Sequence, residues 1–245
     1  MKLFAIGDLH LPSTRGKDMD RFGWTGHPGP LRAAWDAAVG PDDAVLVVGD
    51  ISWATRPNEV QSDLGWLHAR PGKKVLVKGN HDFWWGDSGA KLKKTLEPFP
   101  SVVGFIQNSA VAVGPWLVAG SRLWTSPEAP PMPGGDLGDE AQKPDYIARE
   151  VNRLSLSFAD ARRLEALATT PYRKVAAVHF PPLYANALPT AFSAAIEAWA
   201  PALCVYGHLH GPGIAAGFNG EHGGVRYRLV SCDAAGFAPV LVDEA

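Results

Sequence analysis

Five short segments spread along the chain concentrate carboxylate, imidazole and amide side chains: Gly-Asp-Leu-His with Asp8 and His10, Gly-Asp with Asp50, Gly-Asn-His-Asp with Asn80, His81 and Asp82, then His179, then Gly-His-Leu-His with His208 and His210. Taken as a set, these oxygen and nitrogen donors could cage two divalent ions, and such a site suits phosphate esters. The imidazoles favour Mn, Fe, Zn or Ni, with Mn foremost, over Mg or Ca, whose sites are mostly oxygen. Each piece alone is weak, since Asp-x-His, a lone His or a Gly-His-Leu-His turn arises readily by chance. Their joint occurrence in order, each behind a strand-like run, carries the reading.

The elements that must position these residues alternate short apolar or β-branched runs with segments of helical period, as in a layered α/β domain. Strands are predicted at 2–6, 44–48, 73–77, 102–106, 110–113, 116–119, 174–178, 202–206, 225–230 and 238–242, and helices at 31–38, 58–69, 90–96, 146–167 and 191–198. The long helix is supported by Ile147, Val151, Leu154, Phe158, Leu164 and Leu167 recurring on one face. Asp8, Asp50, Asn80, His179 and His208 then each follow a strand, at the carboxyl-end rim where α/β sheets collect ligands. Gly7, Gly49, Gly79 and Gly207 precede ligands, where unusual φ would aim the next side chain. Two Pro- and Gly-rich stretches, 11–30 and 125–144, read as rims or lids over the site.

Composition sets the outer bounds. A chain of 245 residues with formal net charge −2 reads as a single domain over 1–245, and the absence of a basic run makes nucleic acid an improbable partner. The apolar stretch at residues 3–6 runs straight into the acidic motif, leaving no room for a signal peptide, and no run is long enough to span a membrane. Cys204 and Cys232 sit in apolar strand-like segments without a Cys-x-x-Cys pairing, so both read as buried inert thiols and the cytoplasm as the compartment.

The order Asp-x-His, Gly-Asp, Gly-Asn-His-Asp, His, Gly-His-x-His resembles the calcineurin-like metallophosphoesterase superfamily across Asp8 to His210. The resemblance implies a four-layer α/β/β/α sandwich. It also implies that Asp8, His10 and His210 hold one metal, that Asn80, His179 and His208 hold a second, and that Asp50 bridges them. A bridging aspartate would offset the repulsion of two cations about 3.5–4 Å apart, and a water between them would titrate near ~7 and attack phosphorus in line. His81, free of metal in that pattern, would protonate the leaving oxygen, with Asp82 orienting its ring.

Around this set, Trp53, Trp84 and Trp85 hang from two ligand loops and could stack on a substrate or pack beneath the loops. Arg122 could clamp phosphate oxygens or form a surface ion pair. The histidines outside the motifs, His27, His68 and His222, read as solvated or capping, and Trp66, Trp116 and Trp199 as core. Protein Ser/Thr phosphatases of the superfamily resemble Gly-Asp-x-x-Asp-Arg-Gly, whereas this chain has Gly-Asp-Ile-Ser-Trp-Ala-Thr, without the arginine. The nucleotide-sugar pyrophosphatases typically carry arginine where His81 stands. The expectation is hydrolysis of a small phosphomonoester or phosphodiester; a non-catalytic scaffold is the reading from another class, disfavoured because every ligand is retained.

Overall fold

Residues 1–12, 17–86, 88–131 and 144–245 are described by the computed structural model. In chain order they form β1 (Lys2–Ile6), α1 (Gly29–Ala38), β2 (Ala44–Val48), α2 (Gln61–His68), β3 (Lys73–Val77), α3 (Gly89–Leu96), β4 (Val102–Ile106), β5 (Ala110–Val113) and β6 (Trp116–Ala119). Then follow α4 (Pro144–Leu167), β7 (Arg173–Ala177), α5 (Ala191–Trp199), β8 (Leu203–Tyr206), β9 (Gly220–His222), β10 (Val225–Leu229) and β11 (Val240–Glu244).

Two sheets share the strands, one ordered β11-β1-β2-β3-β4 and the other β5-β6-β7-β8-β10-β9. The strands that lead into the ligand segments, β1, β2 and β3 in one sheet and β7 and β8 in the other, pair in parallel, so their carboxyl ends share an edge. Among the named strands of the described residues, β11 on β1, β5 on β6 and β9 on β10 pair antiparallel.

Side-chain alternation assigns the layers. In β1, Leu3 and Ala5 face the second sheet, packing with Leu46, Val48, Val75, Trp116, Val118, Val175 and Val205 in the core between the sheets. Phe4 and Ile6 point the other way, joining Val45, Val47 and Leu76 under Leu31, Trp35, Leu64 and Leu92 of α1, α2 and α3. On the far face, Leu117, Ala176, Cys204 and Tyr206 meet Leu154 and Phe158 of α4 and Phe192 and Ile196 of α5. This is the four-layer α/β/β/α sandwich, two sheets face to face with helices outside both. Trp116 and Trp199 are buried and Trp66 packs at the edge of the core, and both cysteines are buried and free.

Most elements fall within a residue or two of the sequence reading. β11 begins at Val240 rather than residue 238 because Pro239 has no N–H to donate to the ladder, and its far end is held by Trp116 Nε1 donating to Asp243 at 2.7 Å. α2 starts at Gln61 rather than residue 58, since the Glu59 carboxylate accepts from Thr55 and Arg56 and closes a turn there. The short β9 was not foreseen; its sequence, Gly-Glu-His, carries no apolar alternation. Of the two expected lids, 13–16 and 132–143 lie outside the described residues. The described part of the first, expected as irregular, holds a 3-10 turn at Asp20–Phe22 and the start of α1. Among the described residues, no helix is long and apolar enough to cross a membrane.

Candidate metal centre

The two leading loops are zipped together beyond the ends of β1 and β2. Asp8 N–H donates to Gly49 O, His10 N–H to Asp50 O and Leu11 N–H to Ile51 O, at 2.9, 2.9 and 3.0 Å. On the other sheet, Gly207 N–H donates to His179 O at 3.1 Å, and the sheets are tied where His208 N–H reaches both Asp8 carboxylate oxygens, at 3.1 and 2.9 Å.

Backbone strain sits on the ligand residues themselves. Asp8, His10, Asp50 and His208 have φ of 55, 44, 50 and 71°, the left-handed region that costs a side-chain-bearing residue of order 1–3 kcal/mol. Of the glycines expected to supply unusual φ, only Gly49 does, at 94°. Gly79 and Gly207 instead make room. A Cβ on Gly79 would overlap the amide nitrogen and carboxylate of Asp50, and one on Gly207 would lie 2.5 Å from Asp8 Oδ2.

Side chains from all five segments converge. Asp8, His10 and His210 offer donor atoms within 4.8 Å of one another, as do Asp8, Asp50 and His179. Asp8 belongs to both groups, and Asp50 of the second reaches toward the first, with Oδ2 3.8 Å from His10 Nε2 and Oδ1 3.5 Å from His179 Nε2. Asn80 Oδ1 completes the second group, 2.7 Å from His179 Nε2 and 3.0 Å from His208 Nδ1.

The donor chemistry fits divalent cations. The Val48 carbonyl can only accept, so His179 Nδ1, 2.9 Å away, carries the ring proton, and Nε2 presents a lone pair to the Asn80 oxygen. Two acceptors facing each other are relieved by a cation between them. Both ring nitrogens of His10 are buried with no hydrogen-bond partner. Burial pushes the Asp8 carboxyl up to about 8, and burial followed by the Asp8 charge raises Asp50 well above the usual range. Burial, then neighbouring imidazoles, lowers His10 and His179 well below theirs and brings His208 to about 3, leaving neutral rings fit to ligate.

His81 lies at the rim, its side chain 36% exposed, Nε2 3.9 Å from Asp50 Oδ2 and its ring 4.6 Å from that of Trp53. Burial, then the charges of His210 and Lys17, lowers it to about 4. Asp82 does not orient it as expected. Its buried carboxylate accepts from Ile51 N–H, Ser52 N–H, Gly79 N–H and Trp84 Nε1, at 2.9, 3.3, 2.8 and 3.0 Å, and among its described bonds none comes from His81. Asp82 therefore clamps the Asp50 loop to the Asn80 loop.

Trp84 and Trp85, considered as substrate contacts, are 2% exposed and belong to the core; the 3-10 turn at Phe83–Trp85 points them inward and leaves Phe83 outside, 62% exposed. Trp53 stacks on His10 at 4.6 Å and 22°. Arg122 is mostly buried, 3.6 Å from Glu150, with its guanidinium over Trp124. His27, His68 and His222 bond to Leu9 O, Ser101 Oγ and Glu197 rather than to solvent.

Sequence reasoning missed three neighbours. Trp24 packs edge-on to His210, Phe180 packs on His208 at 4.0 Å between ring centroids, and Asp233 accepts from Gly211 N–H at 2.7 Å beside the Gly-His-Leu-His turn. Asp233 lies just past the end of β10, where the rule that ligands gather at strand carboxyl ends would have found it.

The family model of the calcineurin-like phosphoesterases matches residues 1–212, and the chain belongs to that family. Among curated proteins, the Gene 66 proteins of Mycobacterium phages L5 and D29 are 46% identical over 56 residues and 41% identical over 83 residues, covering 23% and 33% of this chain. The chain spans only 27% and 40% of those relatives' lengths. The crystal structure of phosphopantetheinyl hydrolase from Mycobacterium tuberculosis aligns with a TM-score of 0.51 at 22% identity, over 94% of this chain and 88% of that one, a likeness of fold.

Proposed function

We propose that this chain hydrolyses small phosphomonoesters or phosphodiesters at a two-metal centre. Asp8, His10 and His210 would hold one ion and Asn80, His179 and His208 the other, with Asp50 shared. The observation that carries this reading is the Asp50 carboxylate, turned with one oxygen toward His10 and the other toward His179. Two divalent ions, Mn foremost, would neutralise charge on the phosphoryl group and acidify a water near neutral pH.

The chain's own residues supply the rest. Asp8 and Asp50 provide the negative charge that holds cations in a buried site. His179 is fixed in one tautomer by the Val48 carbonyl. His81 is half-exposed, placed to meet the leaving oxygen and deliver a proton from its ring. That proton is acquired with the substrate, because an arriving phosphate dianion favours the imidazolium that burial disfavours in the free chain. Trp53 packs against both His10 and His81, whose rings meet edge-on at 5.6 Å, and so braces the pair.

The test compares p-nitrophenyl phosphate with bis-p-nitrophenyl phosphate on protein supplied with Mn, with bound metal counted in parallel. Hydrolysis of at least one ester, abolished by chelator, is expected. His81→Ala should retain metal while the rate falls by about 10²–10⁴. A protein that binds two equivalents of metal and hydrolyses neither ester would be a scaffold, and a fully active His81→Ala would remove the proton-donor role.

A further inference from the structure

Beside the metal centre lies a cleft of about 310 Å³, the small end of the range for ligand sites. Its walls continue two ligand segments. Lys78 lies two residues before Asn80, and Arg122 O accepts from Phe180 N–H, the residue after His179, at 2.9 Å. Across from them stand Arg149, Glu150 and Arg153 of α4.

The charge there exceeds what a structural ion pair requires. Arg153, Arg149 and Arg122 approach the same oxygen of Glu150, Oε1, at 2.8, 3.5 and 3.6 Å, and Glu150 is fully buried. Among the described residues, one carboxylate thus faces three guanidiniums, in a chain whose formal net charge is −2. Glu150 Oε2 and Arg122 Nε are both buried without a hydrogen-bond partner among the described residues. Burial, and the charges of Arg153 and Arg149, work against the Arg122 cation, while Glu150 and Asp50 work for it.

The guanidiniums are also held in place. Arg122 lies over Trp124 at 4.8 Å, Trp124 stacks on Tyr146 at 5.3 Å and 14°, and Arg149 lies over Tyr146 at 4.4 Å. Two stacked rings with a guanidinium over each fix the forks of Arg122 and Arg149 before any ligand arrives, which reduces the ordering cost of binding an anion bidentately.

We infer that this cleft is a second anion subsite, and that the substrate carries a second phosphate, held by Arg122, Arg149, Arg153 and Lys78 while the first is hydrolysed at the metals. The substrate half of this inference rests on the proposed hydrolase activity; the anion subsite does not. Phosphate esters that carry a second phosphate group are the chemical class that meets both sites.

Two measurements separate the halves. Inorganic phosphate titrated by calorimetry into the full chain in chelator reports the cleft, since the metal-free centre offers an anion no cation, only carboxyl groups and neutral imidazoles. Phosphate should bind the wild-type chain, and Arg149→Gln/Arg153→Gln should weaken it by about ten- to a hundredfold. Lys78→Gln, from the opposite wall, should weaken it too and guards against a folding defect in α4. No binding by the wild-type chain, or equal binding by both variants, overturns the subsite.

With Mn, kcat/KM is compared for a nucleoside 5′-monophosphate, its 5′-diphosphate and its 3′,5′-bisphosphate. One doubly phosphorylated compound should be preferred through KM, with the preference lost in Arg149→Gln/Arg153→Gln; contiguous and separated phosphates identify which. Hydrolysis without any such preference overturns the substrate class. Phosphate binding without hydrolysis of any ester overturns the hydrolase reading, and the substrate class with it, while the subsite stands.

Discussion

Most of the site's chemistry comes from atoms without ordinary partners. His10 has two bare ring nitrogens, His179 and Asn80 present lone pairs to each other, and Asp8 and Asp50 are two buried carboxylates in one cluster. Asp82 is the opposite case, a buried carboxylate whose described bonds come from four N–H donors on neighbouring loops. Asp82→Ala leaves those donors unsatisfied, and Asp82→Asn turns an amide NH₂ toward one of them. Metal affinity measured by calorimetry should fall by about 10–100-fold, more for Ala than for Asn. If Asp82→Asn lowered kcat and left metal affinity alone, the carboxylate would be acting on His81 after all.

At the scale of elements, parallel β1, β2 and β3 deliver their loops to one edge, and the cross-loop bonds fix how closely those loops run. Gly79 is where the tolerance is smallest. Gly79→Ala should fold, with the circular dichroism of the wild type, yet displace Asp50 and lower activity by about 10² or more. Wild-type activity in that variant would mean that the loops can separate without consequence. The strands were legible as short apolar runs, with β1, β2 and β8 each leading directly into a Gly. The inward turn of Trp84 and Trp85 was not, because a Phe-Trp-Trp run has no period that says which ring faces the core. The cleft was equally hidden: Arg149 and Arg153 belong to no motif, and only the packing of α4 brings them opposite Arg122.

For the whole molecule, the buried centre couples stability to pH. In the metal-free chain the Asp8 carboxyl titrates near 8 against 3.8 for an ordinary aspartate, so the folded state holds a proton that the unfolded state has released. That contribution is complete below 3.8 and is lost as pH rises toward 8. The depressed histidines act oppositely: the unfolded state gains protons below 6.5, so their penalty grows as pH falls from there. Between pH 6.5 and 8.5 the carboxyl contribution dominates, and the Tm of the metal-free protein should drop by about 5 °C. Mn should raise Tm more at pH 8 than at pH 6.5, because ionised carboxylates bind it. A metal-free Tm that is flat or rises over that window would contradict the burial of Asp8.

Ligand identity and order, the strands behind them and the layered α/β class were determined by the sequence, because metal chemistry restricts residue types and strand periodicity is local. What only the tertiary structure decided depends on distance between segments far apart in the chain. It set which oxygen of Asp50 faces which histidine, that Asp82 clamps loops rather than turning His81, and that two arginines of α4 and one from the loop after β6 meet at one buried carboxylate. Those are properties of packing, and no window of neighbouring residues contains them.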